Sequence, residues 1–215
     1  MKVLLTGSTG MIGGLILKHC LNSNEITEMN SLVRKPSGTI HSKLKEIVIE
    51  NFEDYSQYAN LFKEVDIAYF CIGVYTGQVS DDLFKAITVN YAVQFANALK
   101  QLSPNARLCL LSGAGADRTE KSSTSFAKYK GMAENQISAL DMNFYTFRPA
   151  YIYPVEPRIE PNIGYKISRV LYPVIKIFGK RLSIKSTELA LAIFNVGFNG
   201  AENEILENRA IFKYL

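Results

Sequence analysis

A chain of 215 residues is long enough for one large domain, or for one domain with a small appended lobe. Hydrophobic residues make up 47% of it and charged residues 20%, which supports a sizeable core and excludes wholesale disorder. The net charge of +4 is modest, and the first 155 residues carry no dense basic stripe, so no nucleic-acid partner is expected.

Strand and helix patterns then alternate along the chain. Residues 2–5 read as a short buried strand, followed by a glycine-rich turn and a helix over 11–21. Residues 31–33 and 46–49 read as the second and third strands, and 55–62 as a helix. The fourth strand, 67–72, is almost wholly apolar. Asp81 and Asp82 are placed to cap a long helix that runs to about 102. A fifth strand covers 107–111. Thr124 or Ser125 is placed to cap a helix ending near 140, and 144–147 form a sixth strand. Continuous apolar runs indicate strands buried on both faces, and repeated β-α-β order implies a parallel sheet with right-handed crossovers. The expected fold class is therefore α/β, a Rossmann-type doubly wound parallel sheet forming one nucleotide-binding domain over 1–215. Pro154, Pro157 and Pro161 mark a loop within it. Residues 154–185 read as a small C-terminal substrate-side lobe with a helix over 162–178, and 186–198 as the final helix.

The sharpest motif is Thr6-Gly7-Ser8-Thr9-Gly10-Met11-Ile12-Gly13. It follows a strand and opens a helix, the context that dinucleotide binding requires. A pyrophosphate needs several N–H donors and close backbone approach. Gly7 and Gly10 remove side chains that would block it, Gly13 lets helix and sheet pack closely, and the helix N-terminus adds partial positive charge. The second strand selects the cofactor. A site for NAD usually ends this strand with an acid for the ribose 2′-hydroxyl. Here Val33 is followed by Arg34 and Lys35, a fork and a charge suited to a 2′-phosphate, so NADP(H) is the expected cofactor.

The glycine loop together with Arg34 resembles the atypical short-chain dehydrogenase/reductase family, and within it the Tat-interacting-protein-like, sugar-epimerase-like subgroup. Further segments carry the resemblance: Asn51-Phe52-Glu53, Cys71-Ile72-Gly73, Ser112-Gly113-Ala114-Gly115-Ala116-Asp117, Lys130-Gly131 with Glu134, and Phe147-Arg148-Pro149. It covers roughly residues 1–155 well and the remainder loosely. The resemblance implies that Asn51 meets the adenine edge with Phe52 beside it. It implies that Cys71, Ile72 and Gly73 line the cofactor, and that Pro149, Ala150, Tyr151 and Ile152 lie near the nicotinamide. Asn90 matches a polar position that orders the site, and also reads as an ordinary helix-face residue.

The family's chemistry uses Tyr-x-x-x-Lys on one helix face, where the Lys lowers the Tyr pKa and the Tyr moves a proton. Lys130 fits the Lys position, but Phe126 stands where the Tyr belongs. Tyr129 is adjacent to Lys130 and lies about 100° away around the helix, a poor substitute. The usual serine pair at the end of the fifth strand is Ser112-Gly113 here, so Ser112 is either a site residue or a strand terminus. Lys130 and Ser112 are the catalytic candidates.

Cys20, Cys71 and Cys109 show no C-x-x-C spacing and read as free thiols of a reducing compartment. With only two histidines, His19 and His41, neither a metal site nor a Ser-His-Asp triad is expected. The opening apolar run breaks at Thr6, too early for a secretion signal, and no stretch of about 18 apolar residues exists. The expected location is the cytoplasm. An apolar stripe with lysines and arginines over 162–185 reads either as a docking surface for an anionic membrane or partner helix, or as a helix packed on the sheet. Two functions follow: an NADP(H)-dependent oxidoreductase acting on a small carbonyl or quinone-like substrate with a non-standard proton donor, or a non-catalytic NADP(H)-dependent sensor or scaffold.

Overall fold

A computed structural model of the chain describes residues 1–156, 172 and 182–215. The expected helix over 162–178 and nearly all of the basic 162–185 segment lie outside the described residues.

Seven parallel strands form the central sheet. In chain order they are β1 (Lys2–Thr6), β2 (Glu28–Val33), β3 (Leu44–Val48), β4 (Ile67–Phe70), β5 (Arg107–Leu111), β6 (Asn143–Arg148) and, after two short strands named below, β9 (Ile205–Glu207). Their spatial order is β3-β2-β1-β4-β5-β6-β9. The winding reverses between β1 and β4, where Thr6 pairs with Phe70, and such a reversal opens a crevice at the carboxyl ends of the strands.

Among the described residues, the helices are α1 (Met11–Asn22), α2 (Asp81–Lys85), α3 (Tyr91–Leu102), α4 (Ser125–Ser138), α5 (Ser186–Asn199) and α6 (Asn208–Ile211). A π-helical turn, Ala86–Asn90, joins α2 to α3, so the expected long helix forms with one inserted turn. Its cap is Ser80, whose hydroxyl accepts from the Leu83 amide at 3.3 Å. Asp81 and Asp82, expected as caps, occupy the first turn instead. Thr124 holds the cap position of α4 but makes no side-chain cap bond. The expected helix near 55–62 is a 3₁₀ helix, Ser56–Phe62.

Strand alternation divides the core. Val3 and Leu5 face one side, packed with Ile12, Ile16 and Leu17 of α1 and Leu189, Ile193 and Val196 of α5. Leu4 faces the other, packed with Phe62, Phe95 and Leu99. Helix α5, expected as the last helix, thus belongs to the main core and is followed by the short α6. A separate two-stranded parallel sheet pairs β7 (Tyr151–Tyr153) with β8 (Ser183–Lys185). Among the described residues, no helix is long and apolar enough to cross a membrane.

Candidate active site

The glycine loop is built by close backbone contacts. Gly7 has φ +78°, and a Cβ there would lie 2.6 Å from the Cys71 carbonyl oxygen. A Cβ on Gly13 would lie 2.2 Å from the Gly7 carbonyl oxygen. Gly10 caps α1 with no side-chain bond, and the first turn holds no acid. The start of α1 therefore presents uncompensated partial positive charge toward an anion. Ser8 is buried and accepts from the Ser31 hydroxyl at 2.6 Å, which ties the loop to β2.

A cavity of about 820 Å³ opens at the carboxyl ends of β1, β4, β5 and β6. It brings together many of the expected residues: Gly10, Met11, Ile12 and Gly13 of the loop; Cys71, Ile72 and Gly73 after β4; Ser112 after β5; Lys130 of α4; and Pro149, Ala150, Tyr151 and Ile152 after β6. A second cavity of about 500 Å³ shares Gly10 and Met11, and adds Ser8, Thr9, Lys18 and Glu156. Lys18 and Glu156 pair there at 2.9 Å.

Other expected residues stand apart from the main cavity. Arg34 and Lys35 are exposed just past the end of β2. Asn51 is exposed, and its Oδ1 accepts from the Glu53 amide at 2.9 Å. Phe52 is buried, stacked on Tyr91 and edge-on to Tyr55, so its ring belongs to the core. Asn90 is exposed and donates to the Glu53 carboxylate at 2.8 Å, meeting Asn51 through Glu53 rather than in the cavity.

Lys130 reaches the cavity from α4 and donates to the Leu111 carbonyl at 3.2 Å. Burial pushes its pKa down to about 8, against the pull of Glu134 and Cys71. Burial also pushes the Cys71 thiol up to about 12, so it stays protonated. Phe126 lines the cavity one turn before Lys130. Its ring tip seats on Gly113, where a Cβ would come within 2.6 Å of Cζ. Tyr129 turns away and donates to Asp81 at 2.5 Å, a bond that raises its pKa.

The Ser112 hydroxyl is also committed. It donates to Glu134 Oε1 at 2.6 Å. Glu134 is fully buried and accepts from Thr146, from Arg118 at 3.0 Å and from both ends of the Arg148 fork at 3.1 and 2.5 Å. Burial opposes its ionisation, but the bonds from Arg148, Ser112 and Arg118 win and hold its pKa below the ordinary value. Arg118 continues to Glu204 and Arg148 to Glu207, which joins α4 to β6 and β9. Asn208 adds a further support. It accepts from the Ala150 amide and donates to the Ser183 carbonyl, pinning the cavity wall to β8. Sequence reasoning found Glu134 and Arg148 only as parts of a resemblance, and missed Arg118 and Asn208. Partners that lie 12 to 86 residues apart leave no local signal.

No model of a known protein family matches the chain, and no curated protein matches it. Solved structures do. Gre2 from Candida albicans, in complex with NADPH, superposes with a TM-score of 0.73 over 96% of this chain and 77% of its own, at 13% identity. WbmH from Bordetella bronchiseptica, in complex with NAD+, gives 0.71 over 96% and 74%, at 16% identity. MoeE5, in complex with UDP-glucose and NAD, gives 0.70 over 95% and 74%, at 14% identity. The fold is Rossmann-like. In a Rossmann-like fold the reversal beside β1 is the ligand crevice, and the glycine loop and cavity both lie there.

Proposed function

We propose that the chain binds NADP(H) and acts as an oxidoreductase on a small carbonyl or quinone-like substrate in the cytoplasm. The glycine cradle carries this reading. The loop has no side chain where Cβ atoms at Gly7 and Gly13 would collide with backbone, and the first turn of α1 carries no acid. A diphosphate fits that chemistry. Arg34 and Lys35 would hold a 2′-phosphate, and Lys130 would bond the nicotinamide ribose. When bound, the nicotinamide supplies or accepts a hydride. Of the catalytic candidates, Lys130 offers a donor in the cavity, whereas Ser112 orders Glu134 and so seats α4. Ser112-Gly113-Ala114-Gly115-Ala116-Asp117 and Lys130-Gly131 support membership of the Tat-interacting-protein-like subgroup.

The test is calorimetric titration with NADPH and NADH. Wild type is expected to prefer NADPH. Arg34→Ala removes a charged hydrogen bond worth about 1.5–3 kcal/mol, so NADPH affinity falls by about ten- to a hundredfold while NADH affinity holds. Absence of binding by either nucleotide at low salt defeats the reading.

One observation favours a second reading, a cofactor-dependent sensor or scaffold without turnover. Phe126 and Gly113 stand where reactive hydroxyls are expected. That reading expects tight NADPH binding with no NADPH oxidation across carbonyl, quinone and flavin acceptors.

A further inference from the structure

Lys130 is the one lysine among the described residues that line the main cavity. Its Nζ donates to the Leu111 carbonyl, and among the described residues it has no other hydrogen bond and no ion pair. The carboxylate one turn on is fully engaged elsewhere. Glu134 Oε1 accepts from Ser112, Thr146 and Arg148, and Oε2 from Arg118 and Arg148. Phe126, one turn before, has neither donor nor acceptor in its ring. An ammonium held here has one protein acceptor for three N–H groups, whereas a neutral amine keeps a lone pair for an electrophile. Glu134 on the same helix and Cys71 after β4 both favour the charged form, and burial outweighs them to bring the pKa to about 8. Tyr75, from the loop after β4, and Tyr151, from β7, are the other titratable groups that line the cavity besides Cys71.

We infer that Lys130 captures a small apolar aldehyde covalently, as an imine, when the cavity holds no nucleotide. The Nζ lone pair attacks the carbonyl carbon and a C–N bond forms. The carbonyl π pair moves to oxygen, which takes one proton from the nitrogen. The carbinolamine then expels its hydroxyl, which leaves as water with the second nitrogen proton, and C=N remains. Nothing is oxidised or reduced. The protons move through water or through the hydroxyls of Tyr75 and Thr76, which line the same cavity. Met11, Ile12, Ile72, Phe126 and Ile152 give an alkyl chain an apolar surface to cover. An aldehyde fits better than a ketone because its carbonyl carbon carries one substituent fewer against these walls. On the cofactor reading the same amine meets the nicotinamide ribose, so nucleotide and aldehyde exclude each other. The inference itself does not rest on that reading.

The experiment uses the full chain without nucleotide, so its outcome is separate from that of the NADPH titration. Protein at pH 7 is treated briefly with limiting pentanal and sodium cyanoborohydride, which reduces an imine to a stable secondary amine. Peptide mapping by mass spectrometry then compares the labelling of each lysine. At pH 7 the neutral fraction of Lys130 exceeds that of a lysine with the ordinary pKa by roughly two hundredfold. Its weaker basicity offsets part of this, so the expected preference for Lys130 over exposed lysines is on the order of tenfold. The preference should shrink as pH rises toward 10, where exposed lysines also lose protons. It should be larger with pentanal than with acetaldehyde, whose shorter chain covers less of the wall. It should vanish in guanidinium chloride, because the fold creates it. Lys130→Arg should lose the fast phase of labelling and keep the slow one, and where that variant does not fold the wild-type map decides alone. Labelling of Lys130 no faster than that of exposed lysines overturns the inference. So does equal preference with both aldehydes, or a preference that survives unfolding.

Discussion

The Ser112 hydroxyl donates to the buried Glu134 carboxylate over 2.6 Å, and this bond fastens the end of β5 to the helix that carries Lys130. Lys130 and Glu134 are one turn apart on α4, so the network under Glu134 sets where Lys130 stands. Removing the carboxylate takes the buried partner from both arginines and leaves Arg148 only Glu207 and Arg118 only Glu204, at the edge of the network. Breaking a buried ion pair from one side costs about 3–5 kcal/mol. Glu134→Ala should therefore lower the unfolding free energy read from urea melts by that amount. A shift within experimental error would mean that the arginines find other partners.

The same residue sets an acid dependence. The Glu134 pKa is lowered on folding from its ordinary value of 4.5. A depressed carboxylate contributes stability above its unfolded pKa and loses it as pH falls toward the folded one. The stability gap between wild type and Glu134→Gln should thus be constant near neutrality and shrink as pH drops below 4.5. Urea melts at stepped pH read this directly, and a gap that widens on acidification reverses the sign.

Gly10 and Gly13 differ in what they protect. A Cβ on Gly13 meets the Gly7 carbonyl at 2.2 Å, backbone against backbone, and neither side can yield cheaply. Gly13→Ala should cost stability by about 1–3 kcal/mol or more, as overpacking does. A Cβ on Gly10 meets its nearest atom at 3.2 Å and would border the cavity. Gly10→Ala should fold nearly as well as wild type yet bind NADPH weakly. Thermal melts paired with nucleotide titration separate the two, and the scheme fails if both variants lose stability alike.

Much of this was legible because its physics is local. The strands β1, β4 and β5 are continuous apolar runs, and the glycine loop needs only a strand before it and a helix after it. Strand β2 was half hidden by Asn30, which is buried and donates from Nδ2 to Glu28. Strands β7, β8 and β9 have three residues each, too few for a period to show. Side-chain commitments were the least legible. Ser112 could be named as a candidate, but its partner lies 22 residues on, across a helix face that only packing defines. Phe52 carried an adenine role by resemblance, whereas the aromatic pair with Tyr91 takes its ring into the core.

Lys130 should be a liability to the fold below pH 8. Its pKa falls on folding from 10.5 to about 8, chiefly through burial. Between those values the unfolded chain holds a proton that the folded chain lacks, so stability rises with pH across that window. Below pH 8 the penalty is constant. Lys130→Met keeps the volume, removes the penalty and gives up the bond to Leu111, worth about 1 kcal/mol. The variant should be more stable than wild type below pH 8, by on the order of 1 kcal/mol, and less stable near pH 10.5, with weaker NADPH binding throughout. A stability difference that does not change sign with pH contradicts a desolvated lysine.

Phe126 and Gly113 compete for one space. A Cβ at 113 would lie 2.6 Å from the ring's Cζ but 3.4 and 3.6 Å from its two Cε atoms, so the ring meets Gly113 tip first. A hydroxyl added at Cζ therefore presses toward the Gly113 backbone instead of entering the cavity. Phe126→Tyr should destabilise the fold by about 1–3 kcal/mol and create no pentanal reduction. Gly113→Ser intrudes on the same space and displaces the ring, with a cost of the same order. Once the ring has swung away both changes are accommodated, so the double variant should cost less than the two singles together. A double-mutant cycle in urea measures that shortfall. Strict additivity, or a stable Phe126→Tyr protein that reduces pentanal, would show that the ring does not rest on Gly113.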